Sequence, residues 1–373
     1  QGATLRALGG NATSCALVLL DGVPMSDPFF GYIPFSAIAP ERLAQVRVTR
    51  GGGSGPFGAG ALAGTIELES AGIDTLGGFT GQALANDRGE TELSASTGAQ
   101  LGSGFVVASG RWDRGKGFFT TPEADRVPLS ARAAFDGWST QIRGVAPVSG
   151  DVELQVRGLA YRDERTLRFE GADSTIEGQD ASVRLVGRGA WAFDALAYIQ
   201  ARNFTNIVVS SSRFVPVLDQ RNTPATGLGG KFELRPPVGD AHVLRLGVDY
   251  RNAQGELFET AISAFSGNVT ARRQAGGTNT DLGFFIEDDW TLGAMVLTAG
   301  ARLDRWTIRD GFYRERDAAG ALQIDAGYPD RSGWDASFRG GLLYRANPLL
   351  ALRAAAYSGL RLPTLNELYR PFV

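Results

Sequence analysis

The chain has 373 residues, of which 50 are Gly, and its 37 basic and 40 acidic side chains give a formal net charge of −3. Gly therefore makes up about 13% of the residues, but no Gly-X-Y period runs through the chain, so a collagen triple helix is excluded. The near-neutral charge argues against a general nucleic-acid binder, because phosphate binding needs a concentrated basic face.

Scarce residue types limit the chemistry further. The single cysteine, Cys15, excludes an intrachain disulfide and a thiolate metal cluster, and the single histidine, His242, excludes a His-rich metal site. The sequence also contains no G-x-S-x-G nucleophile elbow. We therefore expect no enzyme, no cofactor and no metal site.

The amino-terminal part of the chain predicts short elements separated by turns. The apolar run 16–20, followed by Asp-Gly and Pro24, predicts a buried strand that ends in a turn. Residues 36–43 predict a short helix with Ser36 as its N-cap. Residues 42–50 predict a second strand.

A glycine-rich turn, GGGSGPFGAGALAG, occupies residues 51–64 and precedes a strand at 65–70. Within it, residues 53–58 match G-x-G-x-x-G. A dinucleotide site needs a helix after this motif, whereas the pattern predicts a strand. The glycines are better explained by a tight turn that packs closely against another part of the fold.

After residue 77 the chain predicts about thirteen strands, each with one apolar and one charged face. Leu244, Leu246 and Val248, for example, alternate with Arg245 and Asp249. A soluble β-sandwich is one interpretation, but its strands usually have about six residues. These strands run to ten residues or more, the length that crosses a bilayer. A transmembrane antiparallel barrel is therefore favoured, with the sandwich as the alternative.

The connections between these strands alternate in length, which is typical of an outer-membrane barrel. The short turns are predicted at 100–104, 147–151, 187–191, 236–241, 291–294 and 346–349. The long loops are predicted at 114–130, 166–178, 206–224, 257–277 and 310–333, with one tight connection at 86–89.

Two further expectations concern charged residues of the strands. Glu287 and Asp289 share one face of a strand, because alternate residues point the same way, and we expect them to meet lumen arginines such as Arg302. His242 is predicted in a short turn without a catalytic role.

The odd strand number raises the question of closure. Bacterial barrels have an even number of strands, because an open edge in lipid leaves backbone groups unsatisfied. The last predicted strand runs into residues 361–373 without a closing partner. We expect the chain to be a fragment, or truncated at both ends.

Three segments carry a resemblance to a known family: LVLLDGVPMSDP (17–28), IAPERLAQVRVTRGGGSGPFGAGALAGTIEL (38–68) and YSGLRLPTLNELYRPF (357–372). The first two resemble the plug domain of TonB-dependent outer-membrane receptors. The third is similar to the family's Gly-Phe-Arg-Ala-Pro-x-x-x-Glu-Leu-Tyr signature. Phe57 stands where the family often has Tyr, and Arg6-Ala7 stands where it usually has Arg-Gly. The family's TonB box is not found.

The resemblance implies a mainly β protein with two domains. Residues 1–76 would be the carboxy-terminal part of a small α+β plug domain. Residues 77–373 would be the amino-terminal part of a transmembrane β-barrel, with about 13 of the family's 22 strands.

The resemblance also implies a location and a function. The protein would lie in the outer membrane of a Gram-negative bacterium, in contact with outer-membrane lipid, and would take up a small chelate such as a ferric siderophore with energy from the TonB complex. Cobalamin or another small nutrient, a non-energised barrel and a soluble binding protein are the alternatives.

Five residues are candidates for functional roles by this resemblance. Plug arginines like Arg6 and Arg50 form ion pairs with barrel carboxylates in the family. Phe29, Phe30 and Tyr32 would lie on a plug loop facing the outer vestibule, where exposed aromatic rings could bind a ligand. The alternative for these three rings is packing against the barrel wall.

Overall fold

The computed structural model describes residues 2–5, 15–51 and 55–370. The described strands form two sheets, one of four strands near the amino end and one of fifteen strands after it. We call the four-stranded sheet and its loops the plug, and the fifteen-stranded sheet the wall. No helix in the described part of the chain is long and apolar enough to cross a membrane.

The plug sheet has the order β2-β1-β4-β3. Its strands are β1 (Ala16–Leu20), β2 (Val23–Pro24), β3 (Leu43–Arg50) and β4 (Gly64–Ser70). β1 is fully buried and pairs in parallel with β4, while the other pairs are antiparallel. The turn after β1 is confirmed, with Asp21 and Gly22 at φ of 51° and 87°.

The predicted helix at 36–43 is wrong. This stretch forms two short 3₁₀ turns instead, Phe35–Ala37 and Pro40–Arg42, and Ser36 caps neither of them. Pro40 accounts for the break, because a proline disfavours helical geometry in the residue before it, and Ala39 is extended. A third 3₁₀ turn, Gly55–Phe57, lies in the glycine-rich turn, and the short helix α1 (Ile73–Leu76) leads to the wall.

The wall is an antiparallel sheet in which neighbours in sequence are mostly neighbours in space. Its strands are β5 (Phe79–Ala85), β6 (Thr91–Leu101), β7 (Gly104–Gly115), β8 (Phe135–Ser149), β9 (Val152–Thr166), β10 (Asp173–Gly187), β11 (Ala192–Val209), β12 (Pro216–Asn222), β13 (Ala225–Arg235), β14 (His242–Ile262), β15 (Val269–Leu292), β16 (Met295–Asp317), β17 (Leu322–Gly327), β18 (Arg331–Asn347) and β19 (Leu350–Tyr357).

The strands fill thirteen positions across the wall, as the sequence predicted. β12 and β13 share the position between β11 and β14, and β17 and β18 share the position beside β16. β5 and β19 stand at the two ends of the order, and the described residues show no pairing between them. The wall is therefore an open, curved sheet over this part of the chain.

The short turns lie where the sequence predicted them, but several of the predicted long loops are strands. β14 and β15 stay paired from His242 and Trp290 to Ile262 and Val269, so most of 257–277 is a hairpin. β16 likewise continues to Asp317 and pairs there with β17. The backbone ladder continues past the apolar part of these strands, which is why hydropathy alone missed their ends. His242 is the first residue of β14, not part of the turn.

The two faces of the wall have inverted polarity compared with a soluble protein. Ile142, Ile286 and Phe338 are 56%, 49% and 63% exposed, whereas Arg302 and Asp304 on the opposite face are 3% and 0% exposed. An apolar outer face and a charged inner face fit a sheet that lies in lipid. This observation contradicts the soluble β-sandwich.

The plug packs against the inner face of the wall. One hydrophobic cluster joins Val18, Leu20 and Ile33 of the plug to Leu159 and Tyr161 of β9. A short capped helix, α2 (Leu365–Tyr369), follows β19 and also lies on the inner face, against β15 and β16. Plug, wall and carboxy-terminal segment thus share one interior.

Candidate functional site

The apex loop of the plug, residues 26–32, is closed by its own hydrogen bonds. The Asp27 carboxylate accepts from the backbone N–H groups of Phe29 and Phe30 at 2.9 and 2.7 Å. The Gly31 N–H donates to the carbonyl of Asp27, and the Asp27 N–H to that of Tyr32. Burial raises the pKa of Asp27, although the two amide donors oppose the rise.

The three aromatic residues of this loop pack on the wall. Phe29 is completely buried in a cluster with wall residues and α2, and Tyr32 is 6% exposed. Phe30 is half-buried, with its ring centroid 4.9 Å from that of Phe204 in an edge-on arrangement. The structure therefore has the wall packing that the sequence left open as an alternative, and only Phe30 keeps a ring surface for a ligand.

The sequence singled out two plug arginines, Arg6 and Arg50, for ion pairs with the wall. Arg6 lies outside the described residues. Arg50, the last residue of β3, is exposed, and no carboxylate of the described chain lies within ion-pair distance of it.

The ion pairs between plug and wall are reversed relative to this expectation, because the arginine belongs to the wall and the carboxylate to the plug. Arg111 of β7 pairs with Glu41 at 3.0 Å. Arg157 of β9 lies 3.5 Å from Asp21, whose carboxylate also accepts from the backbone N–H and hydroxyl of Ser70. Plug carboxylates therefore meet wall arginines at two separate strands.

One plug arginine that the sequence did not single out does reach the wall. The guanidinium of Arg42 donates to the carbonyl of Ser139 at 2.6 Å and is buried. Burial, together with the nearby Arg111, lowers the pKa of Arg42 to about 10. No sequence signal separates this arginine from the others of the plug.

The glycine-rich turn is held by arginines of the wall. Arg251 of β14 donates to the carbonyls of Ala59 and Phe57 at 2.7 and 2.6 Å, and Arg302 of β16 donates to that of Gly55 at 3.3 Å. Gly58 has a φ of +90°, and a Cβ there would lie 2.5 Å from Nη2 of Arg251. Glycine is needed at this position for both reasons.

Behind the turn lies a cluster of charges on the wall. The buried Arg302 contacts Asp304 at 2.6 Å and Asp281 at 3.6 Å, and it also pairs with Asp249. Glu287 pairs with Arg245 and Arg339, at 2.6 and 3.1 Å. Glu287 does meet lumen arginines, as expected, but Arg302 is not one of them.

A cavity of about 190 Å³, the upper cavity, lies between β1, the apex loop and the wall. Its wall side includes Asn279 and Asp281 of β15, and residues 361–364 close one edge. A second cavity of about 390 Å³, the lower cavity, lies nearer to the short-turn end and is lined by charged residues of plug and wall, Arg184 and Glu233 among them.

The carboxy-terminal segment 358–370 connects the plug to the wall. The N–H of Gly60 donates to the carbonyl of Leu360, and that of Asn366 to the carbonyl of Phe29. On the wall side, Asn279 donates to the carbonyl of Pro363, and a Cβ at Gly311 would overlap the ring of Tyr369. The third family-like segment is thus part of the interior.

The described residues contain no group of three or more His, Cys, Asp or Glu side chains that could hold a metal ion. His242 pairs with Asp288 at 2.7 Å and stacks on Trp290, remote from both cavities. The arrangement offers hydrogen-bonding and charged surfaces between plug and wall.

Several solved structures share this fold. The copper transporter OprC aligns with a TM-score of 0.72 at 16% identity, covering 94% of this chain and 56% of that one. The FrpB iron transporter from Neisseria meningitidis gives 0.68 at 16% identity, covering 94% and 58%. The ferric citrate transporter FecA, in its unliganded form, gives 0.67 at 13% identity, covering 94% and 55%. The chain thus spans little more than half the length of these structures.

Models of two protein families match the sequence, whereas no curated protein matches it. Residues 1–65 match the TonB-dependent receptor plug domain. Residues 70–372 match the β-barrel of TonB-dependent receptors. With a plug seated on the inner face of a wall that is apolar outside and charged inside, the chain belongs to the TonB-dependent receptor family.

Proposed function

We propose that this chain forms part of an outer-membrane receptor of a Gram-negative bacterium, which imports a ferric siderophore with energy from the TonB complex. The observation that carries the proposal is the plug itself, which is held inside the wall by Arg111, Arg157 and Arg251. A non-energised pore has no need of a plug fixed by polar contacts on several strands.

The mechanism requires no covalent chemistry, and we propose that the protein is not an enzyme. A ligand bound at the apex and outer loops would favour one arrangement of plug and wall, and TonB would favour another. Hydrogen bonds and ion pairs at the interface suit such a change, because water can replace each of them when the plug moves. Phe30 is the apex residue that we assign to ligand contact.

Iron is the cargo favoured by the solved structures. FrpB and FecA are an iron transporter and a ferric citrate transporter by name, and FyuA from Yersinia pestis is a ferric yersiniabactin receptor. The copper transporter OprC makes copper the second candidate. The uptake experiment separates iron from copper.

The test is uptake by whole cells in which the complete reading frame has been deleted or restored. Under iron limitation, we expect deletion to abolish uptake of at least one radiolabelled ferric siderophore from a panel of hydroxamate, catecholate and citrate complexes. Loss of TonB should have the same effect as deletion. Uptake of copper or cobalamin alone would overturn the assignment of iron, and uptake that persists without TonB would overturn energised import.

A further inference from the structure

The upper and lower cavities lie in series along one side of the plug. Both are lined by Pro24 of the plug and by Tyr198 and Arg251 of the wall. The upper cavity lies beside the middle of β14 and β15, and the lower one extends toward the short-turn end of the wall. These three residues therefore form the boundary between the two spaces.

Arg251 is the part of this boundary that links plug and wall. Its two hydrogen bonds to the carbonyls of Phe57 and Ala59 hold the glycine-rich turn against β14. Tyr198 is fixed from the other side, because a Cβ at Gly229 would lie 2.4 Å from its hydroxyl oxygen. The plug cannot move away from β14 without breaking the contacts of Arg251.

The upper cavity presents acceptor atoms that the protein does not use. Asp281 is 4% exposed, and neither of its carboxylate oxygens accepts a hydrogen bond among the described residues, although Arg302 lies 3.6 Å away. The Oδ1 atom of Asn279, which is 8% exposed, likewise has no hydrogen-bond partner among them. Buried acceptors of this kind are normally satisfied by a donor, either water or a ligand.

We propose that the two cavities are successive binding sites for the transported ligand on one route between the plug and the wall formed by β11, β13, β14 and β15, with Arg251 as the barrier between them. The chemical class is a polar ligand that carries hydrogen-bond donors, such as hydroxyl or amide N–H groups, which Asp281 and Asn279 accept. This inference rests on the proposed transport function. About 190 Å³ holds roughly six water molecules, so a chelate enters only after the plug has moved.

The barrier is tested by ion conductance, with potassium chloride as the probe. The protein from its complete reading frame is inserted in planar lipid bilayers. We expect Arg251→Ala to raise the open-channel current at least tenfold over the parent protein. Gly58→Ala should do the same, because its Cβ displaces the Arg251 guanidinium. Arg273→Ala is the matched control, since Arg273 of β15 pairs with Glu315 of β16 at 2.8 Å and lines neither cavity.

The route is tested by chemical modification of introduced cysteines, which should obstruct the current. The protein carries Cys15→Ser, which removes the native thiol, and Arg251→Ala. Ser26→Cys places a thiol in the upper cavity and Thr49→Cys one in the lower cavity. A cationic methanethiosulfonate reagent should reduce the current at both positions by more than half. Ser139→Cys is the control, because Ser139 lies on the inner face of β8 outside both cavities.

Two results would overturn the inference. One is a current in Arg251→Ala and Gly58→Ala no larger than in Arg273→Ala, with all three proteins folded as judged by heat-modifiable gel migration. The other is a current that the methanethiosulfonate reagent reduces in Ser139→Cys but not in Ser26→Cys. Conductance needs no siderophore and no TonB, so a failure here is distinct from a failure of the uptake experiment.

Discussion

At the scale of single residues, Asp27 shows how a buried carboxylate can organise a loop. Its side chain accepts two backbone N–H groups that would otherwise be buried without partners, since Phe29 is fully buried. These two hydrogen bonds act together with the backbone hydrogen bonds of the loop and with aromatic packing on the wall.

Asp27→Ala should destabilise the plug by about 2 to 6 kcal/mol, because it leaves two amide donors unsatisfied at about 1 to 3 kcal/mol each. Asp27→Asn keeps one carbonyl acceptor, so its loss should be smaller. Chemical denaturation of the detergent-solubilised protein measures both effects. A free energy of unfolding for Asp27→Ala equal to that of the parent protein would contradict the capping role.

The raised pKa of Asp27 fixes the sign of a pH effect. Because the folded state binds the proton more tightly than the unfolded state, whose pKa is about 3.9, this group adds stability as the pH falls through its raised pKa. The gain is complete below about pH 3.9. The free energy of unfolding of the parent minus that of Asp27→Asn should therefore increase on acidification from pH 7. A decrease in this difference on acidification would contradict the predicted direction of the pH effect.

At the scale of elements, the segment 358–370 connects plug and wall, and its helix α2 is stabilised by contacts within the segment itself. Thr364 and Glu367 form a capping box, in which each side chain accepts from the other's backbone N–H, and Glu367 also pairs with Arg361 at 2.9 Å. Burial raises the pKa of Glu367, but the hydrogen bonds from Arg361 and Thr364 outweigh it and lower the pKa overall.

Glu367→Ala should loosen α2 by about 1 to 2 kcal/mol, through loss of the cap and of a partly exposed ion pair. Glu367→Gln keeps the cap and loses only the charge, so its effect should be smaller. The readout is hydrogen exchange at the N–H of Leu368, which donates to Thr364, and at that of Asn366, which donates to Phe29. We expect roughly tenfold faster exchange at both in Glu367→Ala. Equal exchange in the two variants would show that the cap contributes nothing.

At the scale of the whole molecule, the alternation of the strands predicted the wall and its inner and outer faces. Arg302, which was predicted to face the lumen, is 3% exposed, and its apolar neighbour Leu303 is 43% exposed. The partners of inner residues were not predictable, because the contacts of Arg251 depend on where the plug lies against the wall. The same holds for Phe29, whose burial is decided by α2, more than 300 residues later in the sequence.

Ile142→Arg tests the assignment of the outer face. Ile142 is 56% exposed on β8, at a position that would lie in the bilayer core, where an arginine should cost about 2 to 4 kcal/mol. Phe265→Arg is the control, because Phe265 is 81% exposed in the connection between β14 and β15. Refolding into lipid vesicles across a urea series measures both. Equal costs at the two positions would place Ile142 outside the lipid.

The parallel pair β1 and β4 has a consequence for the order of assembly. Ala16 pairs with Gly64, so about fifty residues must be looped out before this pair can form, and loop closure of that length has a substantial entropic cost. Most wall strands instead pair with the next strand along the chain, through turns as short as that between Leu292 and Met295. Hairpin growth from neighbour to neighbour is therefore kinetically favoured for the wall, and closure of the plug sheet is the slower event.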